Sequence, residues 1–231
     1  MPIVLSVNVG RAEPTEHSSV GVTAIDKRSV DGPVEVRAPG SKNAGLGSGL
    51  VGDAICDRRH HGGDDQAVYA YAREELDRWA AALGRTLDNG CFGENLTTAG
   101  LDVTGAKIGE RWRIGRALIL EVSCPRIPCR TFAGWMDEHG WLKRFTREGR
   151  PGAYLRVIEP GPVCRGDAID VIDRPAHDVT IGVVFRALTG EPLLLEPVLA
   201  VGALPAADQP EARRKLAQAQ AAAAQGTRAD R

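Results

Sequence analysis

Residues 117–130 read Ala-Leu-Ile-Leu-Glu-Val-Ser-Cys-Pro-Arg-Ile-Pro-Cys-Arg. The first six, Ala117 to Val122, have the aliphatic and β-branched content of a strand. Pro125 and Pro128 then fix φ and remove two backbone donors, so the chain should leave the strand as a stiff, extended loop with Cys129 at its tip. Arg126 and Arg130 flank that thiol and favour the thiolate, the form that attacks electrophiles and ligates soft metals. The competing reading is a cysteine buried as a small hydrophobe. The adjacent charges and prolines weigh against it.

Outward from this segment, short β-rich runs recur at Ile3–Val7, Val20–Ile25, Val34–Val36, Val68–Tyr71, Arg111–Ile114, Tyr154–Ile158 and Ala168–Ile172, punctuated by Gly, Pro and Asp. This pattern suits a barrel or sandwich better than a parallel α/β sheet. One helix interrupts it from Arg73 to Leu83, where Leu76, Trp79, Ala80 and Leu83 share a face and Gly84 supplies the stop. After Pro175, Thr180–Leu188, Leu193–Val201 and Pro210–Gln225 read as helices. The expected organisation is a mainly β domain over residues 1–175 with a few helices, a C-terminal helical appendage over 176–220, and a disordered tail over 221–231, where almost nothing large remains to bury.

Lys and Arg total 29 against 30 Asp and Glu, and no basic field dense enough for nucleic acid or an anionic membrane stands out, so a small-molecule partner is expected. The longest apolar runs fall far short of a bilayer span, and the N-terminal residues show no signal-peptide pattern, which reads as cytoplasmic. The five cysteines at 56, 91, 124, 129 and 164 form an odd, scattered set, expected to be reduced. Their spacing disfavours structural zinc.

Two further clusters hold polar chemistry. Gly52-Asp53 and then Arg58-Arg59-His60-His61-Gly62-Gly63-Asp64-Asp65 lead into the strand at 68–71. The paired glycines can bring backbone close to a ligand and His61 is a tunable donor or acceptor, although a polar turn explains the same residues. If the segment is extended, His60 and His61 point apart and only one faces a given site. In Gly90-Cys91-Phe92-Gly93-Glu94-Asn95, the carboxylate and amide could meet a heterocycle edge, or cap a loop.

Taken together, GLVGD (49–53), HHGGDDQAVYAY (60–71), CFGENLTTAGL (91–101), IGERWRIG (108–115), EVSCPRIPC (121–129) and EPGPVCRGD (159–167) resemble the MOSC domain, and within it the stand-alone YiiM-like branch. The resemblance covers about residues 1–175, and the C-terminal helices are similar to the three-helix appendage of that branch. It implies a MOSC-type β-barrel that binds the molybdenum cofactor, with Cys129 ligating molybdenum. It further implies an oxidoreductase reducing N-hydroxylated or N-oxygenated compounds, with electrons from an external donor protein, because no haem, flavin or iron–sulfur motif is visible. On this reading His61, Gly62, Gly63, Glu94 and Asn95 line the pterin and its phosphate, Asp53 is a further cofactor-binding residue, and Lys27, Arg28 and Arg126 are countercharges. His61 or Glu94 is the acid that protonates the departing oxygen, and a homodimer is an accessible assembly. The alternatives are a sulfur carrier holding a persulfide on Cys129 and a module that binds pterin without catalysis.

Overall fold

The computed structural model describes residues 1–206 and 208–229. In chain order it contains β1 (Ile3–Gly10), β2 (Glu13–Pro14), β3 (Val22–Thr23), β4 (Lys27–Ser29), β5 (Val34–Val36), β6 (Val68–Ala72), α1 (Arg73–Leu83), β7 (Leu96–Ala99), β8 (Arg111–Ile114), β9 (Leu118–Pro125), α2 (Arg130–Met136), α3 (Trp141–Glu148), β10 (Ala153–Glu159), β11 (Gly161–Val163), β12 (Ile169–Asp173), α4 (Ile181–Thr189), α5 (Leu195–Ala200) and α6 (Gln209–Ala229).

Eight strands form one sheet in the order β12-β8-β9-β10-β6-β7-β1-β4. In β9 the alternation is direct: Leu118, Leu120 and Val122 are fully buried while Ile119 and Glu121 face outward, as the two-residue period of a strand requires. All pairings are antiparallel except β6 with β7, which needs a crossover, and α1 supplies it. The helix spans the expected residues and stops where Gly84 turns left-handed at φ 65°. The sheet rolls until β1 meets the approach to β12: Ile3 and Ala168 form an isolated bridge, and the Val4 and Ile169 amides donate to Asp167 and Pro2 at 2.9 Å. No continuous ladder closes this roll among the described residues. The architecture is therefore a rolled mixed sheet with helices, less purely β than the sequence suggests. The pairs β5–β11 and β2–β3 form separate two-stranded ribbons.

The C-terminal helices do not form a core of their own. Ile181 and Val184 of α4, Leu195 and Val198 of α5 and Ala212 of α6 pack into the same apolar cluster as Val4, Leu96, Trp112 and Leu155 from the sheet. The tail expected to be disordered continues α6 as far as Ala229, while residues 230 and 231 lie outside the described residues. A second core is aromatic. Of the chain's three Tyr, four Phe and four Trp, all but Trp112 and Trp135 gather where α1, α2 and α3 cover one flank of the sheet. Among the described residues no helix is long and apolar enough to cross a membrane.

Candidate functional site

A cavity of about 620 Å³ opens beside the aromatic core, lined by residues of the 126–131 segment, of the 54–62 segment and of the β2–β3 ribbon with its turn. That volume lies in the range of small-molecule and cofactor sites. Strand β9 runs through Pro125 and α2 begins at Arg130, so the loop is only Arg126–Cys129. Cys129 is the residue preceding the helix, in extended conformation at φ −125°, and it is half-buried. It shares the cavity with His61, Gly62, Asn95, Lys27 and Arg126.

Arg126 is the unusual member of this group. Only 6% exposed, its guanidinium lies 5.1 Å from the centre of the Tyr69 ring and 4.9 Å from that of Phe132. Its Nε is buried without a hydrogen-bond partner. Among the described residues no carboxylate pairs with it. Buried charges are normally paired, so a cation left this way beside a cavity is built to meet an anion. Gly93 makes room for it: at φ 77°, a Cβ there would lie 3.4 Å from Arg126 Nη1 and 3.2 Å from Ile25 Cγ1. Lys42 and Arg130 also border the cavity. Among the described residues their cationic groups reach only the carbonyls of His60 and Glu16, at 3.5 and 3.3 Å.

The other basic candidates behave differently. Lys27 is 6% exposed and paired to Asp53, whose side chain is fully buried. Asp53 also accepts from Ser48 Oγ at 2.7 Å, Asn95 Nδ2 at 2.9 Å and the Gly10 amide at 2.8 Å. Asn95 further accepts from the Tyr69 amide at 3.1 Å. Lys27, Asp53 and Asn95 thus form a satisfied polar floor, and Lys27 has no charge to spare for a phosphate. Replacing Asp53 with alanine leaves that ammonium buried and unpaired, so a loss of about 3–5 kcal/mol in urea unfolding is expected. A change below about 1 kcal/mol would mean that the pair is not what holds the floor. Arg28 is exposed, pairs with Asp26 and lies outside the cavity.

A model of the MOSC domain matches residues 57–170. The uncharacterized protein YflK of Bacillus subtilis is 32% identical over 179 residues, covering 77% of this chain and 76% of that protein. The chain belongs to the MOSC domain family. The crystal structure of YiiM from Geobacillus stearothermophilus superposes with a TM-score of 0.74 at 25% identity, over 94% of this chain and all of that one, which places the MOSC protein among the YiiM-like members. A reductase of Gibberella moniliformis is 30% identical over 209 residues, 89% of this chain but 36% of the fungal protein. The chain therefore spans about a third of that relative's length.

Within this MOSC domain several expected site residues turn out to build the frame. Glu94 is fully buried and its carboxylate accepts from the Gly90 and Phe92 amides at 2.6 and 3.0 Å and from Thr97 Oγ1 at 2.9 Å. It does not line the cavity, so it is not placed to deliver a proton there. Gly62 and Gly63 are left-handed, at φ 84° and 79°, because the 40s loop packs on them. A Cβ would come within 2.8 Å of the Gly47 oxygen at Gly62 and of Lys42 Cα at Gly63. Gly62 borders the cavity; Gly63 does not. His60 and His61 both border it, contrary to the extended reading, because residues 58–61 form a turn. His60 is exposed and meets Asp57 at 3.0 Å.

His61 lies deeper. Burial, reinforced by the Arg126 charge, lowers its pKa to about 4, so near neutral pH it offers one donor and one acceptor and no charge. In that neutral form it still carries one ring N–H, and of the two candidate acids, His61 and Glu94, it is the one that borders the cavity. An unfolded histidine titrates near 6.5. Between about pH 6.5 and 4 the unfolded chain binds a proton that the folded one refuses, and stability falls as pH falls through that window. The expected loss attributable to His61 is on the order of 2–3 kcal/mol. His61→Gln should flatten the slope of unfolding free energy against pH between those limits, and an unchanged slope would show that His61 protonates freely in the folded state.

Sequence reasoning missed Tyr154 and Tyr69 on the cavity wall, and Lys42 at its rim. The tyrosines belong to runs that were read only as strands, Val68–Tyr71 and Tyr154–Ile158, with no side assigned to either ring. Burial holds the Tyr154 phenol above its ordinary pKa, against the pull of Arg126.

Proposed function

We propose that the protein binds the molybdenum cofactor in this cavity, with Cys129 as the protein ligand to the metal, and reduces N-hydroxylated compounds with electrons from a separate donor. The observation that carries this is Arg126, a buried guanidinium with an unpartnered Nε on the wall shared with Cys129. It fits a group bearing a phosphate and negatively charged sulfurs, since charge-assisted hydrogen bonds to guanidinium are strong and directional. Lys42 and Arg130 at the rim extend the same preference. Among the described residues no group of three or more His, Cys, Asp or Glu could hold a metal, so a metal at Cys129 would take its remaining donors from a cofactor.

When bound, the cofactor supplies the two-electron redox chemistry. The chain's residues do the rest: Cys129 anchors the metal, Arg126 and the rim cations balance negative charge, and neutral His61 and protonated Tyr154 present hydrogen-bond donors. In the reaction an N–O bond breaks, two electrons arrive from the donor, two protons enter, and an N–H compound and water leave. The reductase from Gibberella moniliformis is consistent with a redox role for this family.

The test is anaerobic purification from a cofactor-producing host, with molybdenum and pterin analysis and turnover of an N-hydroxylated base using a chemical reductant. Stoichiometric molybdenum with turnover supports the reading. A sulfur adduct on Cys129 without pterin would point instead to sulfur transfer, and pterin without turnover under any donor to a binding module.

A further inference from the structure

We propose that the β2–β3 hairpin is a strap across the cavity mouth, and that His17 sets the size of molecule that reaches Cys129. Among the described residues the hairpin's strands pair only with each other, Glu13 with Thr23 and Pro14 with Val22. Its turn places His17, Ser18 and Ser19 on the cavity wall. It is tied down at both sides. Toward the His61 wall, Arg59 Nη2 donates to Ser19 Oγ at 3.4 Å. Toward the Cys129 wall, Arg130 Nη2 donates to the Glu16 carbonyl and Thr131 Oγ1 to the His17 carbonyl, both at 3.3 Å. Arg130 and Thr131 directly follow Cys129, so the strap holds the same turn of α2 that carries the thiol.

The imidazole of His17 rests on Gly134. A Cβ at that position would come within 2.0 Å of His17 Cγ. Glycine in the middle of a helix is disfavoured relative to alanine, and Gly134 sits inside the seven-residue α2 without the positive φ that would call for glycine. The seat for His17 accounts for it. The three tethering bonds are long, at 3.3–3.4 Å, and two of them are exposed, so each contributes little, and local opening of such a segment requires far less than global unfolding. The strap thus has the properties of an access element: a defined closed position, set by a ring on a glycine, and weak fastenings.

This inference rests on the Cys129 cavity being the reaction site, yet it is read on cofactor-free protein, so its failure is separate from a failed molybdenum analysis. Cys129 is alkylated in parallel by iodoacetamide and by a fluorescein maleimide, and its peptide is followed by mass spectrometry, with Cys164, which does not line the cavity, as internal reference. In the unmodified chain the bulky reagent should lag at Cys129, relative to Cys164, by about 10-fold or more, as expected for access limited by local opening. His17→Ala removes the ring and Gly134→Ala displaces it, and each should restore most of that lag while iodoacetamide rates change little. Equal access for both reagents in the unmodified chain, or a lag that persists in His17→Ala, overturns the proposal. Should Gly134→Ala fail to fold, His17→Ala decides alone.

Discussion

Cys129→Ala is expected to purify folded, to carry only background molybdenum, and to lose N-hydroxyl reduction by at least about 1,000-fold, the scale on which removing an obligatory group acts. The fold should tolerate the change because the thiol is half-buried at a cavity wall. Truncating a small group there removes few contacts and leaves no closed void, so the cost should stay within about 1 kcal/mol. Cys56 supplies the matching control. It borders the same cavity, but burial raises its thiol pKa against the pull of Lys27, and where Cys129 has Arg126 and Arg130, three before and one after, Cys56 has Asp53 and Asp57. Cys56→Ala should therefore keep its metal and its activity. A fully loaded Cys129→Ala protein would remove the thiol from the centre of the site, whatever the cofactor proved to be.

How much of this was legible in the chain depended on whether side chains declared their burial. The run Ala117–Val122 alternates aliphatic residues and was read as a strand, and α1 was placed to the residue because its apolar face and Gly84 stop agree. Strand β7 was missed for the opposite reason. Leu96-Thr97-Thr98-Ala99 follows Glu94-Asn95 and looks like a polar loop, yet Thr97 and Thr98 are fully buried, their hydroxyls satisfied by Glu94 and by the Tyr71 carbonyl. Partners 27 and three residues away in sequence decide that burial, and a local reading does not contain the more distant one. Helices α2 and α3 were also missed, although Phe132 with Met136 and Trp141 with Phe145 are each spaced i, i+4 and buried, the second pair between the glycines at 140 and 149. Their shortness, and Gly134 inside α2, hid the period.

The site shows the same division. Cys129 could be singled out from its neighbours in sequence, because two prolines and two arginines are local facts. Whether each nearby cation is free could not. Lys27 and Arg126 look alike as candidate countercharges, but Lys27 ends opposite Asp53, 26 positions away, while Arg126 ends between two aromatic rings with no carboxylate. Glu94 likewise read as a candidate acid, and Asp53 as a cofactor-binding residue, because carboxylates near glycine and histidine suggest chemistry. The fold instead spends them on amides, hydroxyls and one ammonium.

That distinction gives Arg126→Met its expected sign. In the cofactor-free protein Arg126 is 6% exposed, its Nε has no hydrogen-bond partner and no carboxylate among the described residues pairs with it, and burial of a charge without a counter-ion costs several kcal/mol. Cation–π attraction to Tyr69 and Phe132 returns about 1–2 kcal/mol per ring at best. Methionine has similar length, fills the slot between the rings with a polarisable sulfur and needs no partner. The variant should therefore unfold at equal or higher urea concentration than the parent, by up to about 3 kcal/mol. It should also raise the His61 pKa, since Arg126 is among the causes that lower it, and this is visible in the imidazole proton shifts against pH. Cofactor retention should move the other way, falling about 100-fold, the order expected for losing charge-assisted hydrogen bonds to an anion. Gain in stability with loss of cofactor would identify a residue held at the cavity for its ligand. Marked destabilisation with full cofactor content would instead make Arg126 part of the aromatic core, and the anion would have to be sought at Lys42 and Arg130.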